Sequence, residues 1–169
     1  MKPVPFVTLL GLAVGLSTFW MPAVAPAATI TVNPGDSIQA AVDAAAPGDT
    51  VKVMPGDYTE PALSGPAVHI TKSIKLLAKS KLKDNIRVRI LAGPGQSDGI
   101  LAEGTDANNP IVGLKIQGFT VEGFPNNGIY LKHVHKFTIQ GNESVNNLEN
   151  GIWPTLSANG SVKKNVSYG

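Results

Sequence analysis

Between Lys72 and Arg89 the chain carries Lys72, Lys75, Lys79, Lys81, Lys83, Arg87 and Arg89 against a single carboxylate, Asp84. Ile86-Arg87-Val88-Arg89-Ile90 alternates as a strand does, so Val88 and Ile90 turn to one face while Arg87 and Arg89 share the other, about 7 Å apart. Two guanidinium forks at that separation can clamp carboxylates on neighbouring units of an anionic polymer, which makes Arg87, Arg89 and Lys75 candidates for polyanion binding. A solvated basic surface is the plainer alternative.

His133 and His135 alternate in the same way, and with His69 they are the only imidazoles. They are weak candidates for a copper or zinc contact. Two ligands without a carboxylate or a third His make a poor site, so no metal is expected. Tyr130 and Trp153 each follow a Gly-Ile pair, and their rings can stack on sugars or simply cover an edge of the fold. Acid–base chemistry has less to work with: no Asp occurs after Asp106, and Glu122, Glu143 and Glu149 share no repeating column. Asn142-Glu143-Ser144, Asn159-Gly160-Ser161 and Asn165-Val166-Ser167 match glycosylation sequons, but Asn142 and Asn165 have a better explanation in the repeat.

That repeat is what must position these residues. Ile116, Ile139 and Val162 are spaced by 23, as are Phe119, Asn142 and Asn165, the pairs Gly128-Ile129 and Gly151-Ile152, and Asn127 and Asn150. Columns at one period predict stacked coils, each residue about 4.8 Å from its equivalent in the next. Ile116, Ile139 and Val162 then form an inward apolar column. Asn142 and Asn165 form a further column, one coil on from Phe119, and a stacked amide can donate and accept hydrogen bonds up and down such a column. Gly128 and Gly151 suit corners that need positive φ or close backbone approach. Val53 and Leu76, also 23 apart, extend the register weakly toward the N-terminus. Between Gly99-Ile100 and Gly128-Ile129 the spacing stretches to 29, and Gly104 to Pro110 reads as a loop whose Glu103 and Asp106 are candidates for a cleft rim.

Ahead of the coils, Thr29-Ile30-Thr31-Val32 reads as a strand and Asn33-Pro34-Gly35 as a turn. Asp36 and Gln39 have capping-box spacing, and Ile38, Ala41, Val42 and Ala45 lie on one face of a short helix that Pro47-Gly48 stops. Such a helix suits a lid. At the very start, Lys2, the apolar run from Phe6 to Phe19 and Ala25-Pro26-Ala27 have the order of a secretory signal, with cleavage after Ala27. About 14 apolar residues fall short of the roughly 20 that span a bilayer, so no stable membrane insertion is expected after cleavage. The chain is 43% hydrophobic and has no cysteine, which excludes wholesale disorder, disulfides and thiolate metal sites. With Lys2 removed, the 14 basic residues fall by one against 12 acidic, so global charge names no partner and gives no sign of nucleic acid.

Ser37-Ile38-Gln39-Ala40-Ala41-Val42-Asp43, Ala46-Pro47-Gly48-Asp49-Thr50-Val51 and Pro55-Gly56-Asp57-Tyr58-Thr59-Glu60 together resemble the N-terminal segment of right-handed parallel β-helix proteins, the pectin-lyase-like superfamily. The later Asn-Gly-Ile and Ile-x-x-Asn patterns are similar to the parallel β-helix repeats of that group, which includes periplasmic copper-site maturation factors. The resemblance implies an all-β, right-handed parallel β-helix, a solenoid with a short N-terminal capping helix, and it puts Asn142 and Asn165 where the asparagine ladder of that group lies, with Asn142 as the first rung because Phe119 holds the place before it. Residues 1–27 are then a signal peptide and 28–169 the β-helix domain, with its cap at 29–48 and its coils at 49–169. Because the register would place the next Gly-Ile corner beyond Gly169, the coils are expected to be incomplete at the C-terminus, leaving an edge open to self-association.

Enzymes of the superfamily mostly act on acidic polysaccharides, with calcium-holding carboxylates and an arginine base in lyases, or clustered aspartates in hydrolases. Ca2+ enters only through the resemblance. The expectation for this chain is a secreted or periplasmic, non-catalytic binding or accessory module for an acidic polysaccharide or a periplasmic protein. The alternative is the N-terminal part of a lyase, epimerase or hydrolase on uronate-containing polymers, with catalytic residues beyond residue 169. Whether the chain is an enzyme stays open on its residues.

Overall fold

The computed structural model describes residues 26–81 and 86–169. The signal-peptide expectation falls, except for Pro26 and Ala27, outside the described residues, as do Lys83 and Asp84. No helix among the described residues is long and apolar enough to cross a membrane.

After β1 (Thr29–Val32) and α1 (Ile38–Ala44), the chain passes through short strands in a fixed rotation. A first pass holds β2 (Thr50–Val53), β3 (Gly56–Tyr58) and β4 (Val68–Ile70); a second holds β5 (Lys75–Ala78), β6 (Val88–Leu91) and β7 (Ile100–Glu103). A third runs through β8 (Ile111–Val112), β9 (Lys115–Gln117), β10 (Phe119–Glu122) and β11 (Ile129–Lys132). The fourth holds β12 (Val134–His135), β13 (Thr138–Gln140), β14 (Glu143–Val145) and β15 (Ile152–Thr155), and β16 (Ser161–Lys163) and β17 (Val166–Tyr168) follow. Like strands pair with like: six in the order β1-β2-β5-β9-β13-β16, five as β17-β14-β10-β6-β3, four as β15-β11-β7-β4, and β12 with β8. The ladders are parallel. Among the described residues the protein is therefore all-β with stacked parallel sheets and one short helix, compatible with a β-helix.

Most strands of the inner passes alternate, and their apolar residues meet in one interior. Val51, Leu76, Ile116 and Ile139 form a fully buried column in the six-stranded sheet, and Ile100 and Ile129 another in the four-stranded sheet. Burying each such side chain contributes roughly 1.5–3 kcal/mol, which offsets the ordering of its strand. Val162 keeps register with Ile139 but, in a strand with one neighbour, is 49% exposed. The spacing from Val53 to Leu76 is not a register: Leu76 pairs with Val51, and Val53 with Ala78. A slip of two residues leaves the same side chains facing inward, so the apolar pattern alone cannot distinguish the two.

Where the strands turn, side-chain amides take over the backbone's hydrogen bonds. Asn142, fully buried, accepts from the Phe119 N–H at 3.0 Å and donates to the Ile116 carbonyl at 3.3 Å and to Asn165 Oδ1 at 3.1 Å. Asn165 in turn donates to the Ile139 carbonyl at 2.9 Å. A second ladder joins Asp98, Asn127 and Asn150: Asn127 Nδ2 donates to Asp98 Oδ1 at 2.8 Å, and Asn150 Nδ2 to Asn127 Oδ1 at 2.9 Å. Gly128 serves by close approach, since a Cβ there would lie 2.7 Å from the Gly151 carbonyl oxygen.

The helix buries Ile38, Ala41 and Val42 against β1, β2 and β4. Its N-terminus is capped by Ser37, which accepts from the Ala40 N–H, and not by the expected Asp36–Gln39 box. Asp36 instead accepts from the Asn33 N–H in the preceding turn. The buried carboxylate of Glu60 takes the N–H groups of Ile38 at 2.7 Å and Gln39 at 3.3 Å, and the Ser37 hydroxyl at 2.6 Å. That frees Gln39 to bond both the N–H and the carbonyl of His69, completing the hydrogen bonds of β4 at the edge of its sheet.

Candidate functional site

The outward face of the six-stranded sheet follows from the same alternation. Thr29, Thr50, Lys75, Lys115, Thr138 and Ser161 align in one row, and Thr31, Lys52, Leu77, Gln117, Gln140 and Lys163 in the next. Hydroxyls, amides and lysines fill these rows, with Leu77 the exception and no carboxylate present. Among the described residues none of Lys52, Lys75, Lys115 or Lys163 lies within ion-pair distance of an acid. Lys75 and Lys115 are direct cross-strand neighbours. The strands that carry them lie about 5 Å apart, and like charges directly opposite destabilise a sheet. An anion lying across both would relieve that repulsion.

The two arginines stand on the outward side of the five-stranded sheet, in different company. Arg89 donates to Asp57 at 3.0 Å and to Glu122 at 2.8 Å. The hydrogen bond to Glu122, with Asp57 close by, raises the Arg89 pKa further above its ordinary value. Arg87 pairs with Glu143 beside Thr120. Both guanidiniums are thus engaged by the chain's own carboxylates, and a polyanion would have to displace these to reach them. Lys72, from the same run, lies elsewhere: it donates to the Asp43 and Ala45 carbonyls, 2.9 Å each, closing the C-terminal end of α1.

The third outward face, on the four-stranded sheet, aligns His69, Leu101, Tyr130 and Trp153. Tyr130 and Trp153 do meet, with centroids 5.0 Å apart and planes inclined by 15°. Each therefore covers one face of the other, so the two rings do not lie side by side as one flat platform for a sugar. Glu103 pairs with Lys132 at 2.7 Å, which raises the lysine pKa, and lies 4.0 Å from His69 Nε2. Asp106 folds back onto Asn109 and Asn108; the Asn109 side-chain bond, then the Asn108 N–H, lowers its pKa.

His133 and His135 do not share a strand face. His133 has φ 52° and falls between β11 and β12, so the chain turns where simple alternation would continue. No group of three or more His, Asp or Glu side chains able to hold a metal ion occurs among the described residues. The charge pairs on the five-stranded sheet had no local signal, because Asp57, Glu122 and Glu143 lie 32, 33 and 56 residues from their arginines. Comparison with protein-family models, with curated proteins and with solved structures returns no match.

Proposed function

We propose that this chain is an exported parallel β-helix module, resembling the pectin-lyase-like proteins, that binds an acidic polysaccharide without cleaving it. The observation that carries this reading is the six-stranded face, where Lys75 and Lys115 stand on adjacent rungs among hydroxyls and amides with no carboxylate between them. Rungs about 4.8 Å apart present one cation or hydrogen-bonding group after another to an extended chain of charged sugars. Lysines here act as point charges, and hydroxyls and amides supply the directional contacts that distinguish a sugar polymer from a simple ion. Several carboxylates among the described residues are engaged in holding the fold: Glu60 caps the helix, Asp98 starts a ladder, and Asp57, Glu122 and Glu143 hold arginines. The signal-like start supports export.

The test is retention on immobilised alginate at low ionic strength. Wild type and R89A should be retained, whereas K75A/K115A should elute early, and added salt should weaken wild-type retention by screening. Retention that survives K75A/K115A would remove the six-stranded face from the proposal. Appearance of unsaturated uronate ends on incubation with alginate or pectate would refute the non-catalytic part.

A further inference from the structure

A second feature has a different chemistry. Where β2 turns toward β3 and β5 runs toward β6, Lys52, Met54, Pro55, Ala78, Lys79, Ser80, Lys81 and Ile86 surround an open recess of about 480 Å³. That volume is within the range of small-ligand sites, roughly 300–1,000 Å³. Its floor and walls are apolar at Met54, Pro55, Ala78 and Ile86, and its cations are Lys52, Lys79 and Lys81. Among the described residues no carboxylate lines it. At one wall Lys81 and Ile86 exchange two backbone hydrogen bonds, 2.7 and 3.1 Å. Ser80 Oγ accepts from the Val88 N–H at 2.8 Å, which fixes its position and leaves its hydroxyl hydrogen available to donate.

We propose that this recess binds a small amphipathic organic anion, an apolar aryl or acyl body carrying one anionic head group. A sugar polymer has too little apolar surface to match Met54, Pro55 and Ile86, and an inorganic anion would leave them exposed to water. A flat apolar body packs against those side chains, while its head group meets ammonium groups on long, mobile stems and a fixed hydroxyl. Ile86, 37% exposed beside this pocket, would be covered by the same ligand. The recess lies at a corner of the fold, so the site is distinct from the Lys75–Lys115 rows, with Lys52 standing at the border between them.

The probe is 2-naphthoate, titrated into isotopically labelled protein and followed by backbone amide NMR, with neutral 2-naphthylmethanol as control. Saturable shifts are expected at Met54 and at Ala78 to Lys81. K79A/K81A should weaken naphthoate at least tenfold, and K75A/K115A should leave it unchanged. Naphthylmethanol should bind at least tenfold more weakly than naphthoate. Both lysines are exposed, and an unchanged spectrum elsewhere confirms that K79A/K81A folds. Equal binding of acid and alcohol, insensitivity to K79A/K81A, or shifts confined to another face would each overturn the proposal. Alginate retention is measured separately, so failure of one reading leaves the other standing.

Discussion

Replacing Asn142 by Ala probes the element on which the stack depends. The side chain is fully buried and satisfies the Phe119 N–H, the Ile116 carbonyl and Asn165 Oδ1. Asn165 Oδ1 retains the Asn142 backbone N–H at 2.9 Å, so it keeps a partner. The Phe119 N–H does not, and neither water nor another donor or acceptor reaches a site where Phe119 itself is 1% exposed. Leaving a buried donor unsatisfied costs about 1–3 kcal/mol, and the weaker loss at Ile116 together with the small void brings the total to about 2–4 kcal/mol. For a chain of this size that corresponds to a drop in Tm of about 5–15 °C. Asn165→Ala, at a half-buried position that water can reach, should cost less than about 1.5 kcal/mol. The assay is urea and thermal unfolding followed by circular dichroism, with hydrogen exchange at the Phe119 amide as an independent readout. N142A within about 0.5 kcal/mol of wild type, with Phe119 still protected from exchange, would show that the ladder is not what satisfies this corner.

Three further outcomes follow from other parts of the structure. Asp49 accepts from the N–H groups of Ala28 at 2.7 Å and Ala46 at 2.8 Å, and these bonds hold its pKa below its ordinary 3.8. Its contribution is fully present above 3.8 and is lost as pH falls through the lower folded value, so D49N should flatten the acid limb of a stability–pH curve below about pH 4; an unchanged limb refutes this. Gly128→Ala should destabilise by about 1–3 kcal/mol, because the new methyl collides with the Gly151 carbonyl and the Ser144 side chain, and a neutral urea midpoint would contradict it. Arg89→Ala should cost only about 0.2–1 kcal/mol, since Arg89, Asp57 and Glu122 are all partly exposed; a loss above 2 kcal/mol would mean the network is structural.

Much of the stacking was legible in the chain. Where successive passes have equal length, like residue lies on like, and the spacing of 23 that links Ile116, Ile139 and Val162 is the observed register. The short helix was legible too, because its apolar face has its own local period. The Glu60 carboxylate that joins Ser37 at its N-terminus was not, because it comes from beyond the next two strands, and a group 22 residues away leaves no mark on the capping pattern. The charged run from Lys72 to Arg89 reads as one basic patch only while it is linear. Folding sends Lys72 to the helix end, Arg87 and Arg89 to carboxylates on one sheet, and Lys75 to a different face, beside Lys115.

The sequence by itself determined that parallel strands would stack with an amide ladder at one corner, because periodic side chains and backbone hydrogen bonding are local, repeating constraints. Tertiary structure alone decided which charges meet. Lys75 and Lys115, like Arg87 and Glu143, come from different passes. Their proximity depends on the lengths of the intervening segments, and those unequal lengths place each side chain on one particular face of the stack.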